Sequence, residues 1–281
     1  GADFSSCLNL RYADLQDAEL AKAKLDGADL YHANLDRANL VEATLQNADM
    51  RLVSLEGAKL QKADLTGSLM TDGSLRGADL RDISITSVSL DRADFTRASL
   101  RGAKFSGLVD AAHLLFAHSD MRNSVISSSH LSSANFSSAN LAGMRTSDAQ
   151  LQNSSFAGAN FGRVSFTDTD LSYSDLRGAN LESADLLSIH AEHALLRGVN
   201  LRRSNMFMSK LPFADARNAD FSHATLQGVD FRGANLDDAV FVDTDVRMAN
   251  FRHASLQGAD FTRARNMEKA SFGNNVGRPV G

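Results

Sequence analysis

The chain of 281 residues has no tryptophan, two prolines and one cysteine. A lone cysteine, Cys7, excludes an internal disulfide framework and any cysteine-based zinc site. No apolar run approaches the eighteen or so residues that a membrane-spanning helix needs. Neither a basic n-region nor an apolar h-region opens the chain, so no secretion signal is visible, and the compartment stays open between cytoplasm and translocation by another route. Charge of one sign is also missing: 29 basic residues nearly balance 34 acidic ones, for a net charge of −5, which argues against a general nucleic-acid binder. There is no glycine-rich phosphate loop. Serine is abundant, as in Ser127-Ser128-Ser129, without an oriented base to activate it. What the chain does have is 43 % hydrophobic residues, enough for a buried core.

Those residues recur with a period of five. Every fifth position from Leu10 to Phe105 is Leu, Met, Ile or Phe, twenty times out of twenty. Two positions earlier, sixteen of the twenty residues are Ala, Ser or Gly. A second run from Phe116 to Phe261 has large apolar centres in twenty-seven of thirty places, with Thr146, Ala191 and Ala216 as the exceptions. A five-residue step carries an α-helix through about 500° and switches the face of an ordinary strand, so neither template fits. The pattern needs a chain that turns a corner every five residues. Each straight segment then points one large side chain (position i) and one small one (i−2) to a common interior. Four segments close a square coil of about twenty residues, and stacked coils share the hydrogen bonding of a parallel sheet. Phenylalanines twenty apart support four sides: Phe116, Phe136 and Phe156, then Phe221, Phe241 and Phe261.

With runs such as Ala28-Asp29-Leu30, Ala33-Asn34-Leu35 and Ala38-Asn39-Leu40, the sequence resembles the bacterial pentapeptide-repeat family. The resemblance implies an all-β, right-handed quadrilateral β-helix of about twelve coils. Residues 1–264 form the expected repeat body, with a register break over 106–115, and 265–281 form a cap and linker tail. Phe105 and Phe116 are eleven residues apart, so one extra residue falls near Ser106–Asp110, and similar extras follow Phe4 and Phe261. Because the chain starts inside a repeat at Gly1-Ala2-Asp3-Phe4, we expect a segment of a longer protein.

Positions i−1, i+1 and i+2 form the surface. Asp and Asn at i−1 satisfy backbone groups at the turns, and glycine at i+2, as in Gly27 and Gly102, suits a corner that needs unusual backbone angles. One side collects Tyr12, Tyr31 and Tyr173 with six of the eight histidines, and also shows Pro212 and Phe213. The preceding side exposes Leu187, Phe207, Met208 and Met248, which with Phe213 are expected to form one apolar patch. Exposed aromatics of this kind suit a partner. His190 and His193 flank the defective centre Ala191, where a local bulge would be needed to bring the rings together; two histidines without a third ligand are weak grounds for a metal site. No catalytic residue and no cofactor is expected.

The expected function is a non-enzymatic protein-interaction scaffold or targeting module whose partner is another protein, with no direct nucleic-acid binding. The family resemblance implies two things further. Many members are domains of larger bacterial proteins, including secreted effectors. Others are DNA mimics that shield gyrase or topoisomerase from quinolones or natural toxins, through a strongly acidic surface and a C-terminal dimerisation helix. Here arginines such as Arg202-Arg203 interrupt the surface, which makes the second expectation the weaker one.

Overall fold

A five-residue step stacks into a ladder only if the backbone turns sharply after each centre, and the corner conformation shows how. In the computed structural model, which describes residues 9–277, the chain divides into two units, Gly1–Asn140 and Leu141–Gly281, each described by itself. Cys7, Phe4 and the tail from Arg278 onward lie outside the described residues. In the first unit the Leu30 N–H donates to the Asp49 carbonyl of the next coil at 2.8 Å, and the Asp49 N–H returns to the Ala28 carbonyl at 2.9 Å. The Ala33 N–H then closes the corner on the Leu30 carbonyl at 2.9 Å. The residue at i+2 of each corner takes positive φ, as in a type II turn. Glycine is therefore not required there: Arg37 (φ 58°), Leu52 (φ 58°) and Phe213 (φ 59°) adopt the same left-handed backbone as Gly27 (φ 68°). That conformation costs an L-residue about 1–2 kcal/mol. It is offset by a bond from the same amide to the next coil, such as Arg37 N–H to Glu56 carbonyl at 2.8 Å.

Parallel bridges repeat every twenty residues on each of four sides, for example Asp29↔Asp49, Asn34↔Ser54, Asn39↔Lys59 and Thr44↔Asp64. We call these sides A, B, C and D in chain order. Most rungs are single bridges. Among the described residues six turns carry a strand, fewer than the twelve or so coils expected from the sequence; all begin on side D, and two run on to the first position of side A. The first unit holds β1 (Ser84–Thr86), β2 (Lys104–Ser106) and β3 (Val125–His130). The second holds β4 (Arg145–Gln150), β5 (Ser165–Thr167) and β6 (Asp185–Leu187). β1–β2–β3 and β4–β5–β6 pair in parallel. No α-helix occurs among the described residues.

Inside, the centres form ladders. In the first unit Phe116 stacks on Phe95 at 5.2 Å and on Phe136 at 4.9 Å. In the second, Phe241 stacks on Phe221 at 5.0 Å and Phe261 at 4.5 Å, and meets Phe231 and Phe251 edge-on at 6.1 and 5.8 Å. The defective centre Thr146 stays inward, bonded to Thr169 at 2.6 Å. Two extra residues are absorbed locally. Leu108 stays buried while Val109 is pushed out, 69 % exposed. The second falls in a 3-10 turn at Met267–Lys269, beyond which Phe272 stacks on Phe251 at 4.9 Å and the ladder continues to Val276.

Candidate interaction site

The left-handed corner matters for function because it projects the i+2 side chain away from the wall. In the second unit the corner between sides A and B carries Tyr173, His193 and Phe213, twenty residues apart, with φ 61°, 54° and 59°. Their rings form an outer ladder: Tyr173 on His193 at 5.0 Å and 17°, His193 on Phe213 at 5.2 Å and 16°. The next corner residue is Gly233, and the Phe213 ring lies over it so closely that a Cβ there would sit 2.6 Å from two ring carbons. Bulky rings occupy corners where Gly, Asn or Asp cost less, so the fold itself does not demand them. Phe213 is 55 % and Tyr173 56 % exposed.

Beside the ladder is an open groove of about 440 Å³ lined by Glu192, Lys210, Pro212, Phe213, Asp230 and His253, among others. Lys210 and Asp230 were not singled out from the sequence; projecting Phe213 onto its neighbours one coil away would have found them.

The other edge of side A carries Leu187, Phe207, Met208 and Met248. Phe207, Met208 and Met248 are exposed, Leu187 is half-buried, and Met208 reaches over Gly228. Phe213 is not continuous with this row. The two rows follow opposite edges of side A, with the bridged row His190, Lys210, Asp230 and Asn250 between them. No bulge forms at Ala191 to bring His190 and His193 together: Asp170, His190 and Lys210 keep the twenty-residue register, and the small side chain leaves an apolar cavity of about 10 Å³ lined by Leu171, Leu196 and Leu211, among others. His193 is committed to ring stacking. Among the described residues no three His, Cys, Asp or Glu side chains converge in a way that could hold a metal.

In the first unit the same corner position holds Tyr12, His32 and, one residue earlier, Tyr31. Tyr12 meets Tyr31 edge-on at 5.7 Å, and the guanidiniums of Arg11 and Arg51 sit 4.3 and 5.7 Å from the Tyr31 ring centre. These arginines tie the ring to its own wall. It is less free to meet a partner than the Tyr173 ladder.

Matches to the family model for pentapeptide repeats, in 8 copies, cover residues 1–40, 33–72, 74–107, 147–182, 184–222, 214–249 and 234–273. The chain belongs to the pentapeptide-repeat family. No curated protein matches it at the level of sequence. Among solved structures it is similar to HetL, a pentapeptide-repeat protein involved in heterocyst differentiation regulation in the cyanobacterium Nostoc sp. strain PCC 7120, with 22 % identity over 88 % of each chain and a TM-score of 0.36. It is also similar to QnrB1, a plasmid-mediated fluoroquinolone resistance protein, with 17 % identity, 73 % of this chain and 89 % of that chain covered, and a TM-score of 0.41. A pentapeptide-repeat protein of the Arabidopsis thaliana thylakoid lumen shares 28 % identity over 31 % of this chain and 68 % of its own, with a TM-score of 0.18.

The repeat also sets the electrostatics of this pentapeptide-repeat surface. The i−1 Asp or Asn accepts the N–H two residues on, as Asp29 does from Tyr31 at 3.2 Å and Asn34 from Asp36 at 3.0 Å. At five places an arginine at i+1 grips the same carboxylate with two side-chain nitrogens: Arg51 on Asp49, Arg81 on Asp79, Arg122 on Asp120, Arg177 on Asp175 and Arg217 on Asp215. Each guanidinium holds its aspartate below the ordinary carboxylate range, chiefly through these hydrogen bonds. Five of the 34 acidic residues are thus compensated within their own pentads.

Proposed function

We propose that this chain is a non-enzymatic protein-interaction module, and that the Tyr173–His193–Phe213 corner with its adjoining groove is the surface that meets the partner. Leu187, Phe207, Met208 and Met248 supply a second strip of contact. In this reading residues 1–264 are the recognition body and 265–281 its cap and tail, within a larger bacterial protein. The observation that carries the proposal is the outer ring ladder. Three aromatic rings stack on one another in solvent, at corner positions where smaller residues cost less. Such pre-ordered rings lose little conformational entropy on binding. No helix among the described residues is long and apolar enough to cross a membrane.

The DNA-mimic reading has less support. A mimic of a phosphate backbone needs rows of bare charge, whereas here Asp49, Asp79, Asp120, Asp175 and Asp215 are each capped by arginine.

Affinity capture from a bacterial lysate separates the readings. A discrete partner retained by the wild type and lost by Phe213→Ser, with circular dichroism unchanged, supports the corner as the site. Equal capture by Phe213→Ser and Phe207→Ser overturns it. Protection of gyrase supercoiling against ciprofloxacin at stoichiometric protein would favour the mimic instead.

A further inference from the structure

Most arginines at i+1 meet a carboxylate in one of two ways. Where the pentad has aspartate at i−1, the arginine grips that residue, as Arg177 grips Asp175 and Arg217 grips Asp215. Where the pentad has none, it reaches one coil ahead to an aspartate that no other arginine grips: Arg11 to Asp29 at 3.1 Å, Arg76 to Asp94 at 2.8 Å and Arg202 to Asp220 at 3.0 Å. Among the described residues, Arg101, Arg197 and Arg252 make neither contact. Ser99, Leu195 and Asn250 stand where their aspartates would be. One coil ahead, Asp120 and Asp215 are already held by Arg122 and Arg217, and the place ahead of Arg252 is Ser271.

Arg197 differs from the other two in its surroundings. Side B of its coil starts at the aromatic corner, so His193, Leu195 and Arg197 are successive outward residues of one coil. His193 stacks between Tyr173 and Phe213, and both Leu195, at 37 %, and Arg197 are exposed. The coils on either side put closed pairs at the same places, Asp175–Arg177 and Asp215–Arg217. The Arg197 guanidinium therefore stands in a row of three cations with two carboxylates, and Asp215 feels its charge without a bond to it. Glu192, the acid nearest along the chain, lies on side A beside His193 at 3.8 Å. The wall beside Arg197 is open: a Cβ on Gly178 or Gly198, the corner residues that follow Arg177 and Arg197, would meet nothing within 4 Å.

We propose that the protein partner at the aromatic corner supplies the missing carboxylate, an aspartate or glutamate side chain that pairs with Arg197 while an apolar side chain beside it packs on Leu195. This rests on the reading of the Tyr173–His193–Phe213 corner as the partner site and adds the chemistry of what binds there. The neighbouring coils show what a guanidinium at this position takes, since Arg177 and Arg217 each hold both oxygens of a carboxylate at 2.6–2.9 Å. Leu195 offers no oxygen, but its aliphatic surface next to an unpaired cation suits an apolar residue next to an acid. Leu195 and Arg197 leave the wall two residues apart, about 6.6 Å along an extended chain, which is also the spacing of alternate residues in an extended peptide. The matching segment thus carries an apolar residue and an acid two places apart. A cation crowded by two others gains from neutralisation when such a segment binds.

The test is a nuclear magnetic resonance titration of the full chain, read at the arginine Nε–H signals, with acetyl-Phe-Ser-Leu-Ser-Asp-amide and its Asn counterpart at millimolar concentration. The Asp peptide should shift the Arg197 signal saturably, leave Arg177 and Arg217 in place, and bind about fivefold tighter than the Asn peptide, the scale of one exposed charge pair. Leu195→Asp restores the pair that the repeat makes elsewhere, so it should erase the preference for the Asp peptide without lowering the unfolding temperature. Arg197→Gln should erase it as well. Equal affinity of the wild type for both peptides, no saturable shift at Arg197, or an undiminished preference in Leu195→Asp would each overturn the proposal. Phe213→Ser keeps the two readings apart. If it weakens both peptides while the wild type does not distinguish them, the corner stands and the carboxylate pairing falls; if it binds both as the wild type does, the corner itself is refuted and the proposal with it.

Discussion

Replacing Phe241 by alanine and, separately, by leucine would measure how much of the interior's stability is ring stacking. Phe241 is fully buried and touches four other rings, two face-on and two edge-on. Deleting a buried phenyl group costs about 3–5 kcal/mol in transfer and cavity terms. Leucine restores most of the lost volume and removes only what is specific to the rings. Each aromatic pair contributes about 0.5–1.5 kcal/mol beyond area burial. Four pairs that share one ring are not additive, so about 2 kcal/mol is the expected loss for leucine, against about 4 kcal/mol for alanine. A solenoid transmits such a loss mainly to adjacent coils. Hydrogen exchange should therefore accelerate most around Phe221 and Phe261, and denaturant unfolding should give the summed change. If Phe241→Leu matches the wild type within about 0.5 kcal/mol, the rings act only as volume and the stacking argument fails.

Three further outcomes follow from the same structure. Ala191→Val should raise stability by about 1 kcal/mol, since two methyl groups enter an apolar cavity at little cost in strain; a drop in the denaturant midpoint would show that neighbouring leucines already close the space. Ser138 sits at a left-handed corner with φ 58°, so Ser138→Gly removes about 1–2 kcal/mol of backbone strain and adds about 1 kcal/mol of unfolded-chain entropy, for a net gain near 0.5 kcal/mol in thermal or chemical unfolding. The five arginine-gripped aspartates have lowered folded-state pKa values. Their stabilisation is therefore complete above the ordinary aspartate value, about 3.9, and is lost as pH falls through the depressed values. An acid titration should accordingly show the variant with Arg51, Arg81 and Arg122 all changed to Gln unfolding at higher pH than the wild type, and coincident curves would deny the pairs any role.

Much of the architecture was legible in the amino-acid order because the interior leaves little choice. A square coil admits one large and one small group per side, so Leu, Met, Ile and Phe recur every fifth place with Ala or Ser before them. The ring ladders were legible for the same reason, as phenylalanines twenty apart. The corners were only half legible. Glycine marks a left-handed residue at Gly102, but Arg37, Leu52 and Phe213 take the same backbone without any sign in their side chains, since the bond to the next coil enforces it. The site was legible as a set of exposed aromatics and not as an arrangement. Tyr173, His193 and Phe213 share one corner, whereas Phe207 and Met208 belong to the opposite edge, and that division depends on counting corners. The missing bridge between Asp64 and Ser84 on side D has no counterpart in the pattern at all, because Leu65 and Ile85 fill their places in the repeat normally.

Val109 shows what such a coil tolerates. One surplus residue loops outward while Leu108 and Ala111 remain inside, so everything downstream keeps its orientation. A surplus of five would be a different matter, because every following side chain would advance by a quarter revolution and each exposed feature would leave its edge. Within a unit, length is therefore free to drift by single residues or by whole revolutions, while changes of one pentad scramble whatever the outer edges have been arranged to present.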